Sequence, residues 1–165
     1  MMHRANVEAA APSPTTRRRL LLAAAVTALP AWALAQRVSA TAIEVWKSPT
    51  CGCCKDWIAY MQANGFQARV HEDGNTDQRA RLGMPVRYGS CHTALVGGYA
   101  IEGHVPVREV RRLLAEKPKA VGLAVPAMPL GSPGMDGPEY GGRKQPFDVL
   151  LVLADGSARV YQSYA

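Results

Sequence analysis

Cys51, Cys53 and Cys54 fall within four positions of one another, in the stretch KSPTCGCCKDW that spans residues 47–57. A fold stapled by disulfides spreads its cysteines along the chain. Three in one turn staple almost nothing, and a bridge between the adjacent Cys53 and Cys54 would be strained. The cluster therefore asks something of the fold. It must hold three thiols at one point and bring other groups to meet them. The only other cysteine is Cys91.

The flanks say how the turn is held. Residues 42–46 are a short apolar, β-branched run and read as a strand. The turn Ser48-Pro49-Thr50 follows, then a helix from about Cys53 to Asn64. Cys54, Trp57, Ile58 and Met61 lie at helical spacing and form its buried face, and Gly65 stops it. Alternation over residues 66–71 gives a second strand, and residues 75–82 a short helix ended by Gly83. Residues 93–96 and 99–102 flank Gly97-Gly98 as a hairpin. Pro106 opens a last helix with Val107, Val110, Leu113 and Leu114 as its stripe, ended by Lys117-Pro118. The order β-α-β-α-β-β-α resembles thioredoxin and glutaredoxin folds, with a core over about 42–117. Residues 118–146 are dense in proline and glycine and read as a long loop carrying Met128 and Met135. Residues 147–153 and 158–164 around Asp155-Gly156 form a C-terminal β-hairpin, read as an appended pair of strands.

A cysteine at a helix N-terminus favours the thiolate, and thiolates are both nucleophiles and soft metal ligands. Lys47 and Lys55 add positive charge nearby. Cys51 and Cys54 alone suit either a redox turn, with one thiol attacking and the other resolving, or a metal site. Cys53 separates the two readings. A third thiol in a two-cysteine enzyme invites wrong bridges, whereas soft metals such as copper(I), zinc or iron–sulfur centres gain a ligand. Cys91 lies at the start of the third strand, the edge that meets such a cysteine turn, and adds a fourth thiol. His104, in a glycine-flanked loop at the mouth of the last helix, is a candidate ligand. His92 is a weaker one, because neighbours on a strand point to opposite faces unless the strand has not yet begun at Cys91. His71, in an alternating strand, reads as a surface residue. Met61 and Met84 read as core. Met128 and Met135 offer soft thioether sulfur from a loop with no core to fill.

The 165 residues suffice for one domain with a real core. At the N-terminus, Thr16-Arg17-Arg18-Arg19-Leu20-Leu21 leads into an apolar run to Leu34, with Ala33-Leu34-Ala35 at cleavage-site spacing. This is the grammar of a signal peptide over residues 1–35, leaving 36–165 as the mature domain. Val38-Ser39-Ala40 is a second possible cleavage site. The run is short for an uncleaved membrane anchor. Its twin arginines also resemble the export signal of folded proteins, without the usual lysine. The expected location is the periplasm, with no membrane attachment after cleavage. Four of the nineteen basic residues and one of the thirteen acids lie in residues 1–35, so the net charge falls from +6 to +3 in the mature chain. The remaining charges are mixed in sign and read as a solvated surface rather than a nucleic-acid footprint.

Three motifs, KSPTCGCCKDW, SCHTALVGGYAIEGHVP and GLAVPAMPLGSPGM, together resemble the CopG-type family of periplasmic metal-binding proteins, over about residues 42–135. The resemblance implies a thioredoxin-like fold and copper handling alongside other periplasmic copper-resistance proteins. Its Cys-x-Cys-Cys hallmark falls on Cys51, Cys53 and Cys54, and its pattern also matches at Cys91, His92, His104, Met128 and Met135. The expected cargo is copper(I). Four thiolates exceed what one ion requires and sulfur can bridge, so a multinuclear cluster is compatible. Redox members of the thioredoxin superfamily place a cis-proline before the third strand. Here Ser90-Cys91-His92-Thr93 takes that place, which weakens the alternative of a thiol–disulfide oxidoreductase using Cys51 and Cys54.

Overall fold

The computed structural model describes residues 40–165. The signal-peptide and export readings fall on residues 1–35, outside the described residues. The order is β1 (Thr41–Lys47), α1 (Gly52–Ala63), β2 (Phe66–His71), α2 (Thr76–Arg81), β3 (His92–Val96), β4 (Tyr99–Glu102), α3 (Val107–Glu116), β5 (Gly122–Ala124), β6 (Phe147–Val152) and β7 (Ala158–Tyr164). The result is a mixed α/β fold: one seven-stranded sheet in the order β2-β1-β3-β4-β5-β6-β7, with three α-helices. Among the described residues, no helix is long and apolar enough to cross a membrane.

Two crossovers build the sheet. β1 and β2 run parallel, joined by α1, and β4 and β5 run parallel, joined by α3. A parallel pair needs such a crossover, because its strands must start from the same end. The remaining neighbours are antiparallel. Helix α1 puts Trp57, Ile58 and Met61 into the core, and α3 adds Val107, Val110 and Leu113. They pack on Ile43 and Val45 of β1 and on the cross-strand row Ile101, Leu123, Leu151 of β4, β5 and β6. A smaller cluster sets Met84, from the segment after α2, against Ala100, Ala124 and Val152, the alternate residues of β4, β5 and β6. Met61 and Met84 are both core residues, as expected.

β5 is the main departure from the sequence reading, which left residues 118–146 as loop. Only three residues long, β5 has no alternation to betray it. It exists because β4 and β6 pair with it on either side, and it joins the C-terminal hairpin to the rest of the sheet. The hairpin is therefore a continuation of one sheet rather than an appendage. Gly122 is needed for this: a Cβ there would strike the Ala100 carbonyl of β4. Helix α3 begins at Val107, with Pro106 as its cap rather than its first helical residue, a one-residue shift of the usual kind.

Candidate metal centre

Strand pairing brings the chemistry-bearing residues together. Lys47, the last residue of β1, pairs with His92, the first of β3. The chain leaves β1 into the cysteine turn at this point, so Cys91 arrives beside that turn. Thr93 pairs with Glu102 across the β3–β4 hairpin, which carries His104 back to the same end. The loop between β5 and β6 then crosses the start of α1. Gly134 makes that crossing possible. At φ +82° it lies so close to the helix that a Cβ would sit 2.7 Å from both the Cys53 carbonyl oxygen and the Trp57 nitrogen.

Cys51 caps α1, and Gly52, Cys53 and Cys54 form its first turn. Cys51 and Cys54 are joined in a disulfide, while Cys53 and Cys91 are free. The Cys53 Sγ lies 3.6 Å from Cys51 Sγ, 3.8 Å from Cys91 Sγ and 4.0 Å from Met128 Sδ. All four cysteine sulfurs lie within 4.8 Å of one another. A second group overlaps the first. Cys91 Sγ is 3.2 Å from His104 Nε2 and 3.5 Å from His92 Nδ1, and one ring nitrogen of each histidine lies within 4.8 Å of the other and of the Cys91 sulfur.

His92 is thus closer to the site than alternation suggested. β3 begins at His92, so Cys91 precedes the strand and the two side chains need not oppose each other. The His92 ring is fully buried, tilted against Trp57 at 4.3 Å between ring centres and edge-on to His104 at 5.1 Å. Its Nε2 makes no hydrogen bond. The His104 Nδ1 faces the Pro133 carbonyl at 2.8 Å. Only a protonated Nδ1 can donate there, which leaves the Nε2 lone pair directed at Cys91. Met128 is exposed above Cys53. Met135 is buried in the same loop, and its backbone closes the turn from Gly131 by exchanging hydrogen bonds with Gly131 and Ser132. His71 stands apart from both groups, stacked on Trp46 at 4.9 Å.

Burial sets the electrostatics. It pushes the Cys91 thiol up to about 12, and the neighbouring Cys53 pushes in the same direction. Burial holds His92 well below the usual imidazole range, with His104 beside it adding to the effect and the Gly103 carbonyl pulling the other way. Burial also lowers His104, against the pull of the Pro133 carbonyl. Both rings are therefore neutral at pH 7, the state in which imidazole binds metal.

Beneath the site lies a polar network that the sequence did not reveal. Glu102 is fully buried and accepts hydrogen bonds from the Ser90 N–H at 2.6 Å, the Thr93 hydroxyl at 2.6 Å and Arg79 Nε at 2.9 Å. Arg79 Nη2 donates to the Ser90 carbonyl at 2.6 Å, and Asn75 reaches both Ser90 and Thr93. These contacts grip the chain on both sides of Cys91 and His92. A carboxylate ending an otherwise apolar strand was the one available hint; its partner Arg79 is not predictable from spacing.

Residues 88–135 match the family described as a protein of unknown function, DUF411. A comparison with curated proteins finds no match. Two solved structures are similar. "Copper resistance protein copG- Form 1" is 42% identical, with TM-score 0.69, over 75% of this chain and 97% of that one. "Copper resistance protein copG- Form 2" is 42% identical, with TM-score 0.68, over 76% of this chain and 98% of that one. With identity at this level across nearly the whole of each solved chain, the protein belongs to the CopG copper-resistance family.

Proposed function

We propose that this is an exported copper-binding protein of a copper-resistance system, which takes copper(I) as cargo on Cys51, Cys53, Cys54 and Cys91. One observation carries the reading: four sulfurs, three from a helix turn and one from the residue that precedes β3, lie within 4.8 Å of one another. Soft, polarisable thiolates select copper(I) over harder ions, and bridging sulfur allows more than one ion to share them. Loading in this form requires the Cys51–Cys54 disulfide to be reduced first. His104 completes the donor set, with His92 as a further candidate. Met128 and Met135 close over it from the β5–β6 loop, and Met128 already stands 4.0 Å from Cys53. The relatives named as copper-resistance proteins support the cargo, and the basic, apolar N-terminal pattern supports export to the periplasm. The scaffold fits a thioredoxin-like core: a β-α-β crossover, an antiparallel hairpin and a closing helix, in the strand order β2-β1-β3-β4.

A second reading has one specific support. The Cys51–Cys54 disulfide at a helix N-terminus is what a thiol–disulfide oxidoreductase would use. The two readings part at Cys53. After reduction and anaerobic addition of copper(I), the protein is expected to retain copper, and Cys53→Ser to lose much of it. The same samples are assayed for dithiol-dependent disulfide reduction. Brisk turnover, preserved in Cys53→Ser, with no stably bound copper would overturn the copper reading. Elemental analysis of the isolated protein separates copper from zinc or iron.

A further inference from the structure

We propose that the buried Arg79–Glu102 pair is the positioning device of the copper site, holding Cys91 in place before any ion arrives, and that α2 is the arm that delivers it. The inference rests on the copper reading and deepens it, because it names residues outside the sulfur group that set how tightly copper(I) is held.

β3 begins at His92, so Ser90 and Cys91 lie just before the sheet ladder. Side chains take over the backbone of Ser90. Its N–H donates to Glu102 Oε1 at 2.6 Å, and its carbonyl accepts from Arg79 Nη2 at 2.6 Å and from Asn75 Nδ2 at 3.2 Å. Beyond His92, the Thr93 hydroxyl donates to Glu102 Oε2 at 2.6 Å. One carboxylate thus holds both the residue before Cys91 and the residue after His92. Arg79 closes the arrangement, with Nε on Glu102 Oε1 at 2.9 Å while Nη2 reaches Ser90. Gly89 lets the chain pass this close, because a Cβ there would sit 3.2 Å from the guanidinium.

Two observations set the pair apart from ordinary packing. α2 spans six residues, TDQRAR, and Arg79 is the only one of them that is buried. A surface helix ordinarily packs through an apolar stripe, and this one packs through a guanidinium. The pair is also a poor source of stability, since desolvation offsets most of its attraction and apolar residues of similar size serve as well. What a planar fork of donors and a carboxylate supply is direction, several hydrogen bonds at fixed angles that apolar contacts cannot replace. A ligand already held in its bound place costs less to order when the ion arrives. The pair acts on the sulfur group in this way, through Ser90 and Thr93.

Arg79→Lys keeps a cation but not the fork, and Glu102→Gln keeps the shape but not the charge. The purified, reduced protein is titrated anaerobically with copper(I) against a competing chelator. Each variant is expected to bind about tenfold more weakly or worse, the usual effect of losing a group that orients a ligand. Leu113→Ala, at a fully buried position of α3 outside the network, is the control of lowered stability, and its affinity should stay close to that of the unaltered protein. A second readout needs no metal. With the Cys51–Cys54 disulfide closed, Cys53 and Cys91 are the free thiols. Alkylation under native conditions, mapped by mass spectrometry, should quicken at Cys91 relative to Cys53 in the network variants and not in Leu113→Ala. If the single variants fail to fold, Arg79→Met combined with Glu102→Gln leaves no unpaired buried charge and serves in their place. A smaller loss of affinity, a loss matched by Leu113→Ala, or an unchanged labelling ratio overturns the proposal. Unaltered protein that holds no copper overturns the copper reading instead, and the labelling ratio then decides alone whether the pair fixes Cys91.

Discussion

Gly134→Ala is the substitution whose cost the geometry fixes most closely. Two effects contribute. At φ +82° an alanine adopts a left-handed backbone that costs about 1–2 kcal/mol relative to glycine. Alanine also restricts the unfolded chain, which returns roughly 0.4–1 kcal/mol. The larger effect is contact. The new Cβ would lie 2.7 Å from the Cys53 carbonyl oxygen, 2.7 Å from the Trp57 nitrogen and 3.1 Å from the Trp57 Cα. These are backbone atoms of the first two turns of α1, so no side chain can swing aside and the loop itself must move. Overpacking of this kind costs about 1–3 kcal/mol. The net expectation is a loss of about 2–3 kcal/mol, or about 10 °C in Tm at roughly 4 °C per kcal/mol for a domain of this size. Gly141→Ala is the control. It has φ +60° with nothing within 4 Å of its Cβ, so it carries the backbone cost without the contact. Urea unfolding of the disulfide-closed protein, followed by tryptophan fluorescence, measures both variants. As the loop lifts, the Pro133 carbonyl also leaves His104, and the His104 Nδ1 proton should lose its hydrogen-bonded NMR signature. Equal, small losses in the two variants with that signature intact would refute the claim that Gly134 seats the loop.

Two further perturbations test the fold around the site. Leu123→Ala removes the middle of the Ile101–Leu123–Leu151 row and should cost about 2–5 kcal/mol by denaturant unfolding, because the cavity lies in a fully buried strand. A loss below about 1 kcal/mol would show that β5 is not a structural link. Burial and the hydrogen bond to Glu116 hold the Tyr161 phenol up to about 12, against an ordinary value of about 10. The folded state thus favours the neutral phenol. The stability from this group is complete below about pH 10 and is lost as the pH rises through about 12. The urea midpoint should fall across that window and fall less in Tyr161→Phe; equal slopes would contradict the assignment.

Local pattern sufficed where an element stands on its own residues. The span of β2 matches its alternation, and the α1 stripe of Cys54, Trp57, Ile58 and Met61 is buried as its spacing requires. It failed where an element is made by its neighbours. Gly122-Leu123-Ala124 becomes a strand through pairing on both sides, a non-local cause that lies outside any short window. The same distinction runs through the site. Cys51, Cys53 and Cys54 announce themselves by spacing, and Cys91 by type. The place of His92 depends on the residue at which β3 begins, since a start one position earlier would turn it away from Cys91. Glu102 and Arg79 meet only after the hairpin and α2 are in place, so their grip on the Cys91 segment has no counterpart in the spacing of either residue.

Cys53 stands at the centre of the sulfur group, between the cysteine turn and Cys91. In the disulfide form it bonds to no other cysteine, yet it touches Cys51 on one side and Cys91 on the other, with Met128 at the opening. A redox turn of two cysteines needs no thiol in that place, and one there would compete for the disulfide by exchange. A soft-metal site gains a donor there. With the disulfide open, Cys53 joins Cys51 and Cys54 to Cys91. With it closed, Cys53 is the nearest remaining sulfur to the Cys91, His92 and His104 group. The copper reading thus gives the third thiol of the turn a use, and thiol exchange between Cys51 and Cys54 gives it none, which is why Cys53→Ser separates the two.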